Sequence, residues 1–176
     1  MNRPMPRQPF PDLDLPTLDG ERFVLSESNP DWYTMLVCYR GLHCPICKDQ
    51  LTNLQDRLDK FAELGIEAIA ISMDSQERAG KAREKWGLDR LRIAYGMSEA
   101  QARSAGLYIS SARTEQEPER FSEPGLFLVE PDLTLYFASI QTAPFTRPPF
   151  DELLGPLHYV KEHGYPARGE LAEQAG

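Results

Sequence analysis

Two cysteines three residues apart, in Arg40-Gly-Leu-His-Cys-Pro-Ile-Cys-Lys48, are the residues of this chain best suited to chemistry. On a helix, positions i and i+3 share one face, about 5–6 Å apart at Cβ. A disulfide needs Cα atoms about 4.4–6.8 Å apart, so Cys44 and Cys47 in a first helical turn would close one with little backbone movement. Cys44 has a further advantage. At a helix N-terminus, free N–H groups and the macrodipole stabilise an anion, which lowers a thiol pKa and gives a nucleophilic thiolate near neutral pH. Arg40 and Lys48 add positive charge nearby. Cys47, one turn further in, lacks that help and suits the role of resolving thiol. The spacing asks for redox chemistry.

Such a site needs a strand that hands over to a helix at Cys44. Met35–Tyr39 is a short apolar run with the character of a buried strand, and Gly41 breaks it. From Cys44 onward Ile46, Leu51, Leu54, Leu58, Phe61 and Leu64 recur at mostly helical spacing, predicting one long helix to about Leu64. Pro45 sits at a first-turn position it tolerates, and Gly65 closes the helix as a C-cap. Ile66–Ser72 reads as a second buried strand. Ser75 caps a helix running to about Trp86, closed by Gly87. A short strand near Leu91–Ala94 and a short helix near Ser98–Ala105 follow.

The polar stretch Ser110–Glu123 reads as a surface loop. Leu126–Val129 and Leu133–Ala138 flank Glu130-Pro131-Asp132 as a hairpin, and a last helix covers about Phe150–Glu162. Ahead of all this, a proline-rich lead-in and the turn Asp19-Gly20 place a hairpin between Asp12–Leu15 and Arg22–Leu25. Alternating strands and helices followed by a hairpin predict an α/β fold, a central mixed sheet flanked by helices with an N-terminal β-hairpin extension. Residues 1–164 are expected to form a single domain and residues 165–176 a loosely ordered tail. The cysteine pair would lie at the C-terminal end of a central strand, where open α/β sheets carry their sites.

Composition bounds the function. The 176 residues hold 19 Lys plus Arg against 27 Asp plus Glu, a net charge of −8, which argues against nucleic acid or an anionic membrane as partner. No apolar run nears the roughly 20 residues of a bilayer span. Met1–Pro9 has two arginines but no apolar core after them, so it does not read as a secretory signal. With three cysteines, an odd number, a structural disulfide framework is not expected. A cytoplasmic protein with functional thiols is.

The order of elements, with Cys-Pro-Ile-Cys after the first core strand, resembles the thioredoxin fold. The N-terminal hairpin, Tyr39-Arg-Gly-x-x-Cys-Pro-x-Cys47 and Gly125-Leu-Phe-Leu-Val-Glu-Pro-Asp132 resemble its peroxiredoxin-like branch, the alkyl hydroperoxide reductase/thiol-specific antioxidant family. The resemblance covers about residues 10–163. It implies a thioredoxin-like fold and an antioxidant thiol oxidoreductase. Cys44 would attack peroxide and become a sulfenic acid, which Cys47 would resolve as an intramolecular disulfide. It implies a peroxide or disulfide substrate and a thiol reductant such as a thioredoxin-type protein or glutathione. Neither a metal nor an organic cofactor is implied, and a homodimer is allowed.

Two departures stand out. The family's proline seven residues before the nucleophile is Val37 here, and its threonine or serine three residues before is Gly41. Its arginine just before the strand Leu126–Val129 is replaced by Glu123-Pro124. A proline there resembles instead the cis-proline that packs on the thioredoxin cysteine pair.

Other residues carry two readings each. Arg40 is suited to hold the thiolate and a peroxide oxygen, or it is a solvent-facing arginine at a strand end. Arg147, in Phe145-Thr-Arg-Pro-Pro-Phe150, is a second candidate for the same task. His43 either tunes Cys44 or fills a loop, and Cys38 is a small buried hydrophobe in a strand. Three rival functions remain at this level: a thiol-disulfide oxidoreductase without significant peroxidase activity, a zinc site from Cys44, Cys47, His158 and His163, and a non-catalytic interaction module.

Overall fold

The middle strand, β3 (Tyr33–Cys38), is buried at all six positions, and its side chains alternate between two cores. Tyr33, Met35 and Val37 face one cluster with Leu51, Leu54, Phe61, Phe150 and Leu154. Leu36 and Cys38 face the other, with Leu13, Leu15, Phe23, Met97 and Ala102. A period of two with apolar residues on both sides is what a strand sandwiched between layers requires. The computed structural model describes residues 3–171.

The elements follow in the order β1 (Asp14–Pro16), β2 (Arg22–Val24), β3, α1 (Pro45–Gln55), α2 (Leu58–Glu63), β4 (Ile66–Ile71), α3 (Gln76–Trp86), β5 (Arg92–Ala94), α4 (Glu99–Ser104), β6 (Ile109–Ser111), β7 (Arg120–Ser122), β8 (Gly125–Val129), β9 (Leu135–Ile140) and α5 (Phe150–His163). The main sheet has the order β5-β4-β3-β8-β9. β3 pairs parallel with β4, and β4 with β5; β8 runs antiparallel to both β3 and β9. This is the expected mixed sheet. Helices α1, α2, α3 and α5 supply one core, while the β1–β2 hairpin and α4 supply the other.

Local signals placed most caps. Ser75 accepts the N–H of Arg78, and Gly87 closes α3 in the left-handed conformation. Ser98 and Gln101 form a reciprocal capping box on α4.

Two expectations need correction. The helix expected to run unbroken to Leu64 is two helices, interrupted at Asp56 and Arg57, with the Arg57 backbone outside the helical region. The Arg57 side chain donates to the Asn53 carbonyl (2.9 Å) and to Asp151 Oδ1 (2.6 Å). It thus caps the end of α1 and ties it to α5. The break leaves no mark on the apolar spacing because Leu54, Leu58 and Phe61 still meet the same core.

Ser110–Glu123 is not a plain loop. β6 and β7 form a two-stranded ladder within it, anchored by the buried ring of Phe121. Beyond Gly164, Ala167 is buried. The Tyr165 carbonyl accepts from the Tyr136 hydroxyl (3.0 Å), and Glu170 pairs with Arg7 (3.8 Å); residues 172–176 lie outside the described residues. Among the described residues no helix is long and apolar enough to cross a membrane.

Candidate active site

The chain leaves β3 at Cys38 and turns through Arg40–His43 into α1. Gly41 makes that turn with φ +128°, a conformation that side chains beyond glycine rarely adopt. Cys44 is the N-cap of α1, with extended backbone and Pro45 in the first turn. Its N–H donates to the Gly41 carbonyl (3.1 Å), and its Sγ accepts the N–H of Cys47 (3.3 Å). A thiol sulfur here takes the capping role that an Asp or Ser oxygen usually fills. Cys47 Sγ in turn accepts the backbone N–H of Arg40 (3.4 Å). Both thiols are free, and Cys44 and Cys47 are only 1% and 0% exposed.

Arg147 arrives from the segment before α5. Its Nη2 lies 3.3 Å from Cys47 Sγ and 3.7 Å from Cys44 Sγ. The remaining donors are held: Nε donates to the Pro144 carbonyl (2.8 Å), and Nη1 donates to Gln50 Oε1. A guanidinium fixed on both sides keeps its charge over the two sulfurs.

The two thiols are pushed apart in acidity. Cys44 is drawn from the ordinary thiol range down to about 5. The hydrogen bond from the Cys47 thiol is the largest cause, outweighing the opposing effect of burial. The Cys47 backbone N–H, the Arg147 charge and Arg40 add to it in that order. Cys47 is raised well above the ordinary range, first by burial and then by donating to Cys44. Cys38, in the second core, is raised to about 12 by burial alone. One accessible proton state therefore combines a Cys44 thiolate with a Cys47 thiol, the arrangement a nucleophile and its resolver need.

The other candidates fall into place around this pair. The Arg40 guanidinium pairs with the β6–β7 hairpin, 3.2 Å from Glu123 and 3.7 Å from Glu117, and covers the Phe121 ring at 4.7 Å. Arg40 reaches the pair twice, through a weak side-chain hydrogen bond to the Cys44 thiolate and through its backbone N–H on Cys47 Sγ. His43 packs edge-on to Phe121 (4.7 Å), and burial, followed by the Arg40 charge, holds its pKa below the usual value.

Pro124 enters β8 beside the end of β3, where Cys38 pairs with Gly125. Its peptide bond is trans, since no bond among the described residues is cis; this corrects the cis-proline suggested by the thioredoxin resemblance. The Glu123 N–H donates to the Tyr108 carbonyl (2.8 Å) and the Pro124 carbonyl accepts from Gln141 (2.9 Å), so the extended trans chain is satisfied on both sides. His163 stacks on Tyr159, and no group of three or more His, Cys, Asp or Glu among the described residues could hold a metal ion.

Sequence reasoning missed three residues here. Gln50 lies one turn after Cys47 on the same helix face, a spacing that could have found it. Glu123 was noted only as an arginine's replacement, and Asp74 had no local signal. Asp74 accepts the Leu42 N–H across 32 positions of sequence (2.7 Å). Beside the pair, Ile46, Asp49, Asn53, Phe145 and Pro148 line a cavity of about 290 Å³ with Gln50 and Arg147.

The family model described as the AhpC/TSA family matches residues 6–138. Peroxiredoxin Bcp of Bacillus subtilis (strain 168) is 37% identical over 81 residues, 46% of this chain and 51% of that protein. The match thus spans about half the length of that relative. Among solved structures, peroxidoxin BcpB from Mycobacterium tuberculosis superposes with a TM-score of 0.72 at 19% identity, covering 90% of this chain and 99% of that one. The reduced Plasmodium vivax 2-Cys peroxiredoxin gives 0.74 at 15%, covering 91% and 98%. Enterococcus faecalis AhpC gives 0.73 at 18%, covering 92% and 97%. At these identities the structures establish a shared thioredoxin-like fold.

Proposed function

This chain belongs to the AhpC/TSA family, and from that premise we propose that it is a thiol peroxidase whose nucleophile is Cys44 and whose resolving thiol is Cys47. The observation that carries the reading is the asymmetric pair: an acidic Cys44 at a helix N-cap, a high-pKa Cys47 one turn on, and the Arg147 guanidinium against both sulfurs.

The Cys44 thiolate attacks the nearer oxygen of a peroxide ROOH. The S–O bond forms as the O–O bond breaks, and the departing RO⁻ takes a proton to leave as ROH. Arg147 and the N–H groups of the first turn of α1 stabilise the charge that develops on the oxygens; one such donor is typically worth about 10²–10³ in rate. The Cys47 thiol then attacks Cys44 sulfur. A disulfide forms, and the sulfenic hydroxyl leaves as water with the Cys47 proton. Two reducing equivalents from an external thiol, of the glutathione or thioredoxin-type class, restore the dithiol.

Burial of both sulfurs favours a small oxidant over a bulky protein disulfide, which places thiol-disulfide exchange second. Arg40 serves this reading through its backbone N–H on Cys47 and a weaker side-chain contribution to the Cys44 thiolate, with its guanidinium also fastening the β6–β7 hairpin. A soluble cytoplasmic setting and a homodimer belong to the same proposal. Stopped-flow oxidation of the reduced protein by hydrogen peroxide tests it. Oxidation far faster than that of a free thiol, lost in Cys44→Ser and kept in Cys38→Ser, is expected. A rate no faster than a free thiol, with ready attack on a protein disulfide, would replace it with the exchange reading.

A further inference from the structure

The turn that delivers Cys44 is gripped by a residue far away in sequence. Asp74 lies after β4, and its side chain is fully buried. Its Oδ2 accepts the Leu42 N–H (2.7 Å) and its Oδ1 accepts from Arg78 Nε (2.9 Å). The backbone is held as well: the Asp74 N–H donates to Ser72 Oγ (3.3 Å), and its carbonyl accepts from Gly96 (2.9 Å). A Cβ placed on Gly41 would come within 2.7–2.9 Å of all three carboxylate atoms. The carboxylate therefore occupies the space into which any side chain at position 41 would project.

We propose that Asp74 is a positioning residue for the Cys44–Cys47 pair: it fixes the Arg40–His43 turn from outside and makes glycine obligatory at position 41. Two of the hydrogen bonds that set the pair start from this turn. Arg40 supplies an N–H to Cys47 Sγ, Gly41 supplies a carbonyl to the Cys44 N–H, and Leu42 is the residue Asp74 holds. A buried carboxylate is costly unless fully hydrogen-bonded, and here its partners are one arginine and the reactive turn itself. The family's hydroxyl-bearing side chain is absent at position 41 because that volume is already filled. Restoring a threonine there would break the turn rather than improve the site.

The inference rests on Cys44 being the reactive thiol, and its test avoids peroxide so that the two can fail separately. Thiolate absorbance near 240 nm against pH, and the rate of alkylation by iodoacetamide, are measured on reduced wild type, Asp74→Ala, Asp74→Asn and Gly41→Ala. Asp74→Ala is expected to raise the Cys44 midpoint by about one unit or more, because a released turn lets Cys44 shift off the donors that stabilise its thiolate. Asp74→Asn keeps an acceptor for Leu42 and should raise it by less than half as much. Gly41→Ala displaces the same carboxylate from the other side and should match Asp74→Ala, which keeps the test decisive if that variant does not fold.

Lower melting temperatures with unchanged midpoint and alkylation rate would make Asp74 a structural staple only. A midpoint that falls equally in the Ala and Asn variants would show that its charge, not its grip, matters. Either result overturns the proposal.

Discussion

Replacing Arg147 by Met removes a positive charge from 3.3 and 3.7 Å off the two sulfurs while keeping a stem of similar length. At about 4 Å and an effective dielectric constant near 20, unit charges interact by about 4 kcal/mol. Solvent beside this half-buried arginine reduces that figure, and the Cys47 hydrogen bond, not Arg147, is the main cause of Cys44's acidity. A rise of about one pKa unit, or ~1.4 kcal/mol, follows. Starting from about 5, Cys44 would then titrate near 6, still roughly 90% thiolate at pH 7.

Ground-state ionisation therefore changes little at neutral pH, whereas the loss of a donor to the breaking O–O bond should cost about 10²–10³ in the rate of oxidation. Arg147→Lys keeps a charge but not the fork held by Gln50, and should recover only part of the loss. Stopped-flow oxidation at pH 7, beside the 240 nm titration, separates the two effects. If Arg147→Met oxidises within twofold of wild type at pH 7, the arginine does not stabilise the transition state. If the loss vanishes at pH 9, its role is confined to acidity.

Alkylation of Cys44 should rise through a midpoint near pH 5 and stay flat above it. The sign follows from a depressed pKa, since the reactive anion is lost as pH falls through that value. Cys47→Ala removes the largest cause of the shift and should move the midpoint upward by more than Arg147→Met does. Glu123→Gln leaves the largely buried Arg40 with only the more distant Glu117. Breaking such a pair costs about 3 kcal/mol, readable by chemical denaturation, while the Cys44 titration should stay nearly in place.

How much of this was legible in the sequence depended on how local the physics was. The Cys44–Cys47 spacing, Pro45, the Ser75 and Ser98 caps and the closing Gly87 act within one or two turns, and their residues state their roles directly. The apolar runs of β3, β4 and β8 likewise gave the central sheet.

What remained hidden was set by pairs distant in the chain. Arg57 interrupts α1–α2 by reaching Asn53 and Asp151, whereas the apolar stripe continues across the break. The β6–β7 ladder is built from polar residues around one buried Phe121, so hydrophobic patterning has little to read. At the site, the sequence puts Arg40, next to the cysteines, ahead of the distant Arg147. The fold pairs the Arg40 guanidinium mainly with Glu123 and sets that of Arg147 against both sulfurs. Gly41 looked like a lost hydroxyl until Asp74 was seen to fill its space.

The central claim, Cys44 attack followed by Cys47 resolution, is tested most directly by intact mass after one equivalent of hydrogen peroxide. Reduced wild type should lose about 2 Da as the disulfide forms, and Cys47→Ser should instead gain about 16 Da as a sulfenic acid trapped on Cys44. Peptide mapping should place both changes within the Arg40–Lys48 segment. Unchanged masses in both proteins, or oxidation confined to Cys38, would contradict the account.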